Sequence, residues 1–489
     1  MALATVRSVA LHGIDGQIID VEAFLASGVP AFHVVGLPDA TVNESRDRVR
    51  AAVVNAHEPW PQMKITVGLS PAGVRKAGSG FDLAIASAVL LAHDRVPPDF
   101  LRGAAVLGEL GLDGRVRPIA GVLPSVLAAV RNGIERVLVP AAAAAEARLV
   151  PGAEIVAITS LHQLIALMRG EDDPEPVPVD LSDLEDEPAG PDLSQVVGQH
   201  EGRRAVEIAA AGGHHLLLSG PPGSGKTMLA RRLPGILPPL DREGALEVTR
   251  IHSVAGLVDG AHPLVSTPPF RAPHHSASTA AIVGGGANLR PGEASLAHRG
   301  VLLLDELAEF RRDALEALRQ PLEDGFVAVA RAAGRIVFPA RFQLVGTMNL
   351  CPCGGRGDPG AQCSCSAQRL AHYRDKLSRA LLDRFDLVVA MPRVRGLDLA
   401  SAPAEASAPV RERVVAAREI LDSRPPKRDD EASELLRNAV DRLHLSGRGH
   451  ARVGRVARTI AGLAGAETVR TEHVAEALAY RSPDELRDV

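Results

Sequence analysis

A chain of 489 residues is long enough for two to four domains at roughly 100 to 200 residues each. Apolar residues make up 46% and charged residues 23%, which excludes wholesale disorder, collagen and coiled-coil arrays. The longest apolar stretches, such as Leu83 to Ala92 and Val137 to Ala145, fall short of the roughly 18 residues that span a bilayer, and the N-terminus has no basic segment leading into an apolar one, so a cytoplasmic protein is expected.

Residues 1–170 alternate short β-rich runs, Ile65 to Leu69 and Arg136 to Val139, with Ala-rich helical segments, which predicts a compact α/β domain. Nine acidic residues and no basic ones then fall between Glu171 and Glu187, interleaved with Pro174, Pro176 and Pro178 and followed by Pro188. Such a segment repels itself and cannot pack, so 171–190 reads as a linker. Without those nine charges the formal net charge of −5 becomes +4, which permits a polyanionic partner without demanding one. Only five of the 54 basic residues are Lys, a bias that makes Arg abundance uninformative by itself. In 191–395 the apolar runs Leu216 to Leu218, Val301 to Leu304 and Gln343 to Val345 predict buried parallel strands and a second α/β domain. From 396 to 489 apolar residues recur three and four apart in Val410 to Ile420, Ala432 to Leu443 and Arg452 to Leu463, which predicts a helical lid. The chain has no repeat of roughly 20 to 50 residues, so a solenoid or propeller is excluded.

Gly220-Pro221-Pro222-Gly223-Ser224-Gly225-Lys226-Thr227 fits G-x-x-x-x-G-K-[ST] between an apolar run and a helical segment. Glycines let successive backbone N–H groups face phosphate oxygens, the helix N-terminus adds the positive end of its dipole, Lys226 reaches the β and γ phosphates, and Thr227 ligates Mg²⁺. Val301 to Leu304 ends in Asp305 and Glu306, suited to hold Mg²⁺ and to polarise water, respectively. The strand from Phe342 to Gly346 runs into Asn349, whose neutral amide is placed to orient the attacking water.

These motifs, together with Leu381-Leu382-Asp383-Arg384-Phe385-Asp386, resemble an AAA+ ATPase. Phe270-Arg271-Ala272-Pro273-His274-His275, Gly284-Gly285-Gly286, Pro291-Gly292-Glu293 and Leu296-Ala297-His298 narrow this to the magnesium-chelatase-like branch, and from about Ser8 to its end the chain is similar to the ComM/YifB competence-protein family. The resemblance implies an α/β fold: an N-terminal Lon-protease-like domain, an AAA+ core with a parallel sheet, and a helical lid. It places an arginine finger, offered to a neighbouring chain's γ-phosphate, at Arg384, and a sensor arginine of the lid at Arg448, with Arg452 one helical turn later as the other choice. A finger acting in trans implies a ring, and such families form homo-hexamers.

All four cysteines, Cys351, Cys353, Cys363 and Cys365, fall within 15 residues. In a cytosolic protein this clustering suits a structural Zn²⁺ held by four thiolates, with free or redox-active thiols as the alternative. Val35 to Ala40, Glu44 to Val49, Gly108 to Leu110 and Pro118 to Gly121 resemble the Lon-type peptidase domain. In that register Gly80 occupies the nucleophile position, with Ser79 its nearest hydroxyl, and Leu123 or Pro124 replaces the activating Lys. Without either partner covalent peptide hydrolysis has no mechanism; Ser79 and Lys76 are an adventitious pair, and an assembly or substrate-entry collar is expected.

Two inserts distinguish the branch and, by resemblance, face a central pore. The first runs from about His262 to Leu289 and includes Phe270, Arg271, His274 and His275; the second, Gly325 to Phe338, reads as a hairpin with Arg331 and Arg335 near its tip. Those two arginines are the expected contacts to DNA phosphates, single-stranded or branched and without sequence preference. The family implies an ATP-driven DNA translocase and branch-migration helicase that serves recombination of incoming DNA during natural transformation. A chelatase-like motor and a protein-remodelling ATPase are the competing readings.

Overall fold

The structure, a computed structural model, describes residues 2–174, 190–286, 289–331, 334–358, 360–394 and 404–481; most of the expected acidic linker lies outside them, as do the side chains of 330, 331 and 334. The N-terminal region is built on one mixed sheet. β1 (Ala2–His12) and β2 (Asp15–Ala26) form a long antiparallel ribbon, extended on one side by β3 (Ala31–Val35) and β4 (Lys64–Ser70). β5 (Ala105–Val106) follows on the other side, a small ribbon of β6 (Glu109–Leu110) and β7 (Val116–Arg117) stands apart, and β8 (Arg136–Pro140) and β9 (Glu154–Ile158) complete the order β3-β4-β2-β1-β5-β8-β9.

In β2 the side chains alternate: Ile19, Val21, Ala23 and Leu25 are buried, whereas Glu22 and Phe24 face outward. That is the period of a strand with one covered face. The helix Asp82–Ala92 is apolar on nearly every side and buried from Asp82 to Leu90, so it forms a layer of the core rather than its lining.

The second sheet is wholly parallel. It is built from β10 (Leu216–Ser219), β11 (Phe270–Arg271), β12 (Val301–Leu304), then, beyond a separate hairpin of β13 (Phe326–Arg331) and β14 (Gly334–Pro339), β15 (Gln343–Met348) and β16 (Leu387–Ala390). The order β11-β12-β15-β10-β16 puts the carboxyl ends of β12, β15 and β10 side by side. Every residue of those three strands is buried, as required of strands covered on both faces. One expectation is corrected here: Phe270 and Arg271 belong to the edge strand of this sheet, paired with Val301 and Leu302, rather than to a pore insert. A two-residue strand carries no periodicity that a sequence could display. Arg271 is further committed to Glu293 through bonds of 2.6 and 2.9 Å.

The helices Ser407–Ser423, Asp430–Leu443, Gly447–Leu463 and Thr471–Ala479 close the described chain, tied by a short parallel pair of β17 (Lys427–Arg428) and β18 (Thr468–Val469).

The N-terminal region seats directly on the parallel-sheet region. The turn between β1 and β2 inserts Ile14 into a small core with Ile251, Leu296, Ile336 and Phe338. Gly13 makes this approach possible: its φ is +68°, and a Cβ there would stand 2.5 Å from Ile336 Cγ2. Beside it the amide of Gly121 donates to Ser253 O at 2.9 Å, the Ser253 hydroxyl donates to Glu146, and Arg250 donates to Ile14 O at 3.2 Å. Burial pushes the Glu146 carboxyl upward, against the bonds from Ser253 and the Leu123 amide.

Candidate nucleotide site

The phosphate loop follows β10 without slack. A Cβ on Gly220 would fall 2.2 Å from Met391 O, and Gly223 and Gly225 take left-handed φ of +77° and +89°, so glycine is required at all three turns. The helix Lys226–Ala230 starts where the loop ends. Gln199, which sequence reasoning missed, pins the loop from outside: its Nε2 donates to Ser224 O at 2.9 Å and to Pro392 O at 2.6 Å.

Lys226 Nζ donates to Gly220 O at 2.9 Å, to Pro221 O at 2.8 Å and to Asn349 Oδ1 at 3.1 Å. Burial pulls its ammonium below the usual value, and the charges of Asp305 and Glu306 oppose that pull. Asn349 is therefore brought to the lysine across the gap between β10 and β15, and its own carbonyl accepts from the Tyr373 hydroxyl at 3.1 Å.

Thr227 Oγ1 lies 2.8 Å from Asp305 Oδ1. Adjacent ligands of a Mg²⁺ with bonds of 2.0–2.1 Å stand about 3 Å apart, so this hydroxyl and carboxylate fit the two protein positions of such an ion. Thr347 organises the acids: its hydroxyl donates to Asp305 Oδ1 at 2.5 Å and accepts from the Glu306 amide at 3.1 Å. A threonine directly after the apolar run Leu344 to Gly346 and two residues before Asn349 was the available signal.

Glu306 takes a left-handed backbone, φ 56° and ψ 51°, with its side chain 59% exposed. A non-glycine residue held there costs on the order of 1 kcal/mol, a cost often found at reactive sites. His275 Nδ1 stands 3.7 Å from Glu306 Oε2, and its ring stacks on His274 with centroids 4.1 Å apart. His275 thus reaches the water-activating candidate, a juxtaposition invisible in sequence because strand order creates it.

Arg384 stands elsewhere. The amides of Asp386 and Leu387 donate to His215 O, which precedes β10, and β10 and β16 run parallel, so Arg384 lies at the amino edge of the sheet while the phosphate loop lies at the carboxyl edge. β10 alone separates the two edges by roughly 13 Å. Arg384 is buried, paired with Glu323, and lines a cleft with Asp386, Arg452 and Arg455. Burial lowers its pKa, and Arg448 and Arg319 add to the effect through their like charges. Arg448 is exposed on the first turn of its helix, capped by Ser446. Arg452 is buried and turned to Asp386, 3.6 Å away. Both lid candidates are accordingly gathered around Arg384 rather than around Lys226 of the same chain.

The four cysteine sulfurs all lie within 4.8 Å of one another, with Cys351 and Cys353 at 3.4 Å and Cys353 and Cys363 at 3.7 Å. Backbone N–H groups of Gly355 and Ser364 hold the Cys353 thiol down at about 5, whereas burial pushes Cys351 up. Ser79 donates to Glu109, and the wholly buried Lys76 donates to Pro71 O, so the two aim at different partners and form no dyad. Leu123 is buried with its amide on Glu146, and Pro124 is buried beside it. In the hairpin, Ile336 and Phe338 face inward while Arg335 and Val337 are exposed; the side chain of Arg331 lies outside the described residues. No helix among the described residues is long and apolar enough to cross a membrane.

A P-loop after β10, with paired acids at the end of β12 on the far side of β15 and a helical lid, defines an AAA+ ATPase that uses ATP and Mg²⁺. The chain matches the families described as magnesium chelatase subunit ChlI over residues 192–399, subunit ChlI of Mg-chelatase over 21–143, and the ChlI C-terminal region over 404–481. It is 40% identical over 505 residues to competence protein ComM of Haemophilus influenzae, covering 99% of this chain and 98% of that one, and 40% identical over 506 residues to YifB of Escherichia coli, covering 99% and 98%. A Mycobacterium tuberculosis protein is 50% identical over 501 residues, covering 98% and 99%, and the Lon protease of Rhizobium meliloti is 27% identical over 189 residues, 36% of this chain and 23% of its own. The chain belongs to the ComM/YifB family of magnesium-chelatase-like AAA+ proteins.

Proposed function

We propose that the protein is a hexameric ATP-driven motor that moves on DNA, a translocase and branch-migration helicase of the cytoplasm that promotes recombination of incoming DNA during natural transformation. The observation that carries the ring is the position of Arg384: it stands at the sheet edge opposite its own phosphate loop, so a catalytic site complete with an arginine finger requires a second chain. The competence name of the Haemophilus influenzae relative supports the DNA reading.

ATP with Mg²⁺ supplies the phosphoryl bond whose hydrolysis drives the motor. The loop amides from Gly220 to Thr227 and the Lys226 ammonium hold the polyphosphate, while Thr227 and Asp305 hold the metal. Glu306 takes the proton of the attacking water, and Asn349, within reach of Lys226, orients that water. Arg384 of a neighbouring chain, with Arg448 beside it, spreads positive charge over the γ-phosphoryl oxygens. Cys351, Cys353, Cys363 and Cys365 hold one Zn²⁺.

Forked DNA is expected to accelerate ATP hydrolysis, and an unfolded protein is not. Stimulation by unfolded protein alone would move the chain to the protein-remodelling alternative, and stimulation by neither would favour a chelatase-like partner. For the hairpin, Arg331→Ala with Arg335→Ala is expected to weaken fork binding for every sequence and to reduce the slope of log affinity against log salt by about 2, one phosphate contact per arginine. Fork affinity measured at several salt concentrations checks this; parental affinity and slope in the double variant would remove the hairpin from the DNA path.

A further inference from the structure

The four-cysteine loop is a neighbour of the phosphate loop as well as a candidate metal site. It begins two residues after Asn349, whose side chain bonds Lys226. Within it, Gly354 is buried at φ +77°, and a Cβ there would stand 2.6 Å from Pro222 Cγ and 2.9 Å from Pro222 Cδ. The cysteine loop therefore rests on the second proline of the phosphate loop, and the residue two positions before it, Asn349, bonds that loop's lysine. Between Cys351 and Ser366 the described residues form only turns and irregular chain, and Cys353 and Cys363 are exposed. Among the described residues of this segment no hydrogen-bonded ladder fixes its shape, and Cys351 and Gly354 are its buried points. The four sulfurs do converge, within 4.8 Å. Zn²⁺ with bonds of 2.3 Å holds tetrahedral thiolates about 3.8 Å apart, so a metal can supply the bracing that secondary structure does not.

We propose that the four-cysteine site is a zinc clamp on the phosphate loop, so that metal occupancy sets nucleotide affinity. The proposal rests on Gly220 to Thr227 being the nucleotide site. With the thiolates gathered on the metal, Gly354 stays against Pro222 and Asn349 stays within reach of Lys226, and the loop is held ready for polyphosphate. Without the metal the segment loses its shape, and ordering the phosphate loop is added to the cost of binding. Coupling of this kind is reciprocal: if zinc tightens nucleotide binding by some factor, nucleotide tightens zinc binding by the same factor.

The test uses the full chain, with zinc counted by a chromogenic chelator after thiol block and affinity read from a fluorescent ADP analogue. The purified protein is expected to hold one zinc per chain. Stripping the metal weakens ADP binding about tenfold, within the usual range of such couplings, and reloading restores it. Saturating ADP raises zinc affinity against a competing chelator by that same factor. Cys353→Ser should behave as the stripped protein does. Gly354→Ala keeps all four thiols but forces the two loops apart, so it should retain zinc and still bind ADP more weakly. If the stripped protein and Gly354→Ala both bind ADP like the parent, the clamp is overturned. A chain that holds no zinc and takes none up overturns it at the metal, and zinc-loaded parent that binds no ADP marks failure of the nucleotide site instead.

Discussion

Glu306→Gln is expected to bind ATP with parental affinity and to hydrolyse it about 10² to 10⁴ times more slowly, the usual contribution of a positioned general base. The substitution is isosteric, and it leaves Thr227, Asp305 and Lys226 in place, so binding and hydrolysis separate. Glu306 is suited to this role because its strained backbone turns the carboxylate outward while the Thr347 hydroxyl fixes its amide. Lys226→Ala should fail one step earlier. The ammonium, already pressed by burial and held by three oxygen acceptors, is the one positive side chain donating into the loop among the described residues, and its loss removes affinity itself. ATP affinity and single-turnover hydrolysis measured side by side check both variants; sustained turnover by Glu306→Gln would assign the base elsewhere.

Arg384→Ala should lower turnover by about 10³ or more while ATP affinity is retained, the scale on which arginine fingers act. Because Arg384 is buried against Glu323, its removal leaves a carboxylate without its partner, so the melting temperature must be followed as well. Arg384→Lys keeps the charge but not the planar fork, and it is expected to fold like the parent and remain slow. Arg384→Lys with normal turnover would exclude a finger that depends on that fork.

The phosphate loop, the paired acids and Asn349 stood out in sequence because each lies where a largely apolar strand ends. Gly220 follows β10, Asp305 and Glu306 follow β12, and Asn349 follows β15, and a run of buried residues closing on a polar one is a signal of one-dimensional order. Lid helices were legible for the same reason, through their spacing. What escaped depends on strand order. Thr347 bridging both acids, His275 approaching Glu306 and Gln199 pinning the phosphate loop are contacts between segments 25 to 193 residues apart, the first created by the pairing of β12 with β15, the second by that of β11 with β12, and the third where Gln199 meets Ser224 and Pro392. β11 escaped because two residues show no period. The seat of the N-terminal region on the hairpin escaped because it turns on Gly13 fitting against Ile336, a match of shapes that composition does not encode.

That an ATP site is shared between two chains is tested most directly by mixing two inactive variants. Lys226→Ala keeps its finger and lacks a working loop; Arg384→Ala keeps its loop and lacks the finger. When the two are unfolded, mixed in equal amounts and reassembled, roughly a quarter of the interfaces in a closed ring join an intact loop to an intact finger. ATP turnover well above that of either variant alone is the predicted result. Turnover no greater than theirs, with mixed assemblies confirmed by affinity tags, would contradict a site completed by Arg384 of a neighbouring chain.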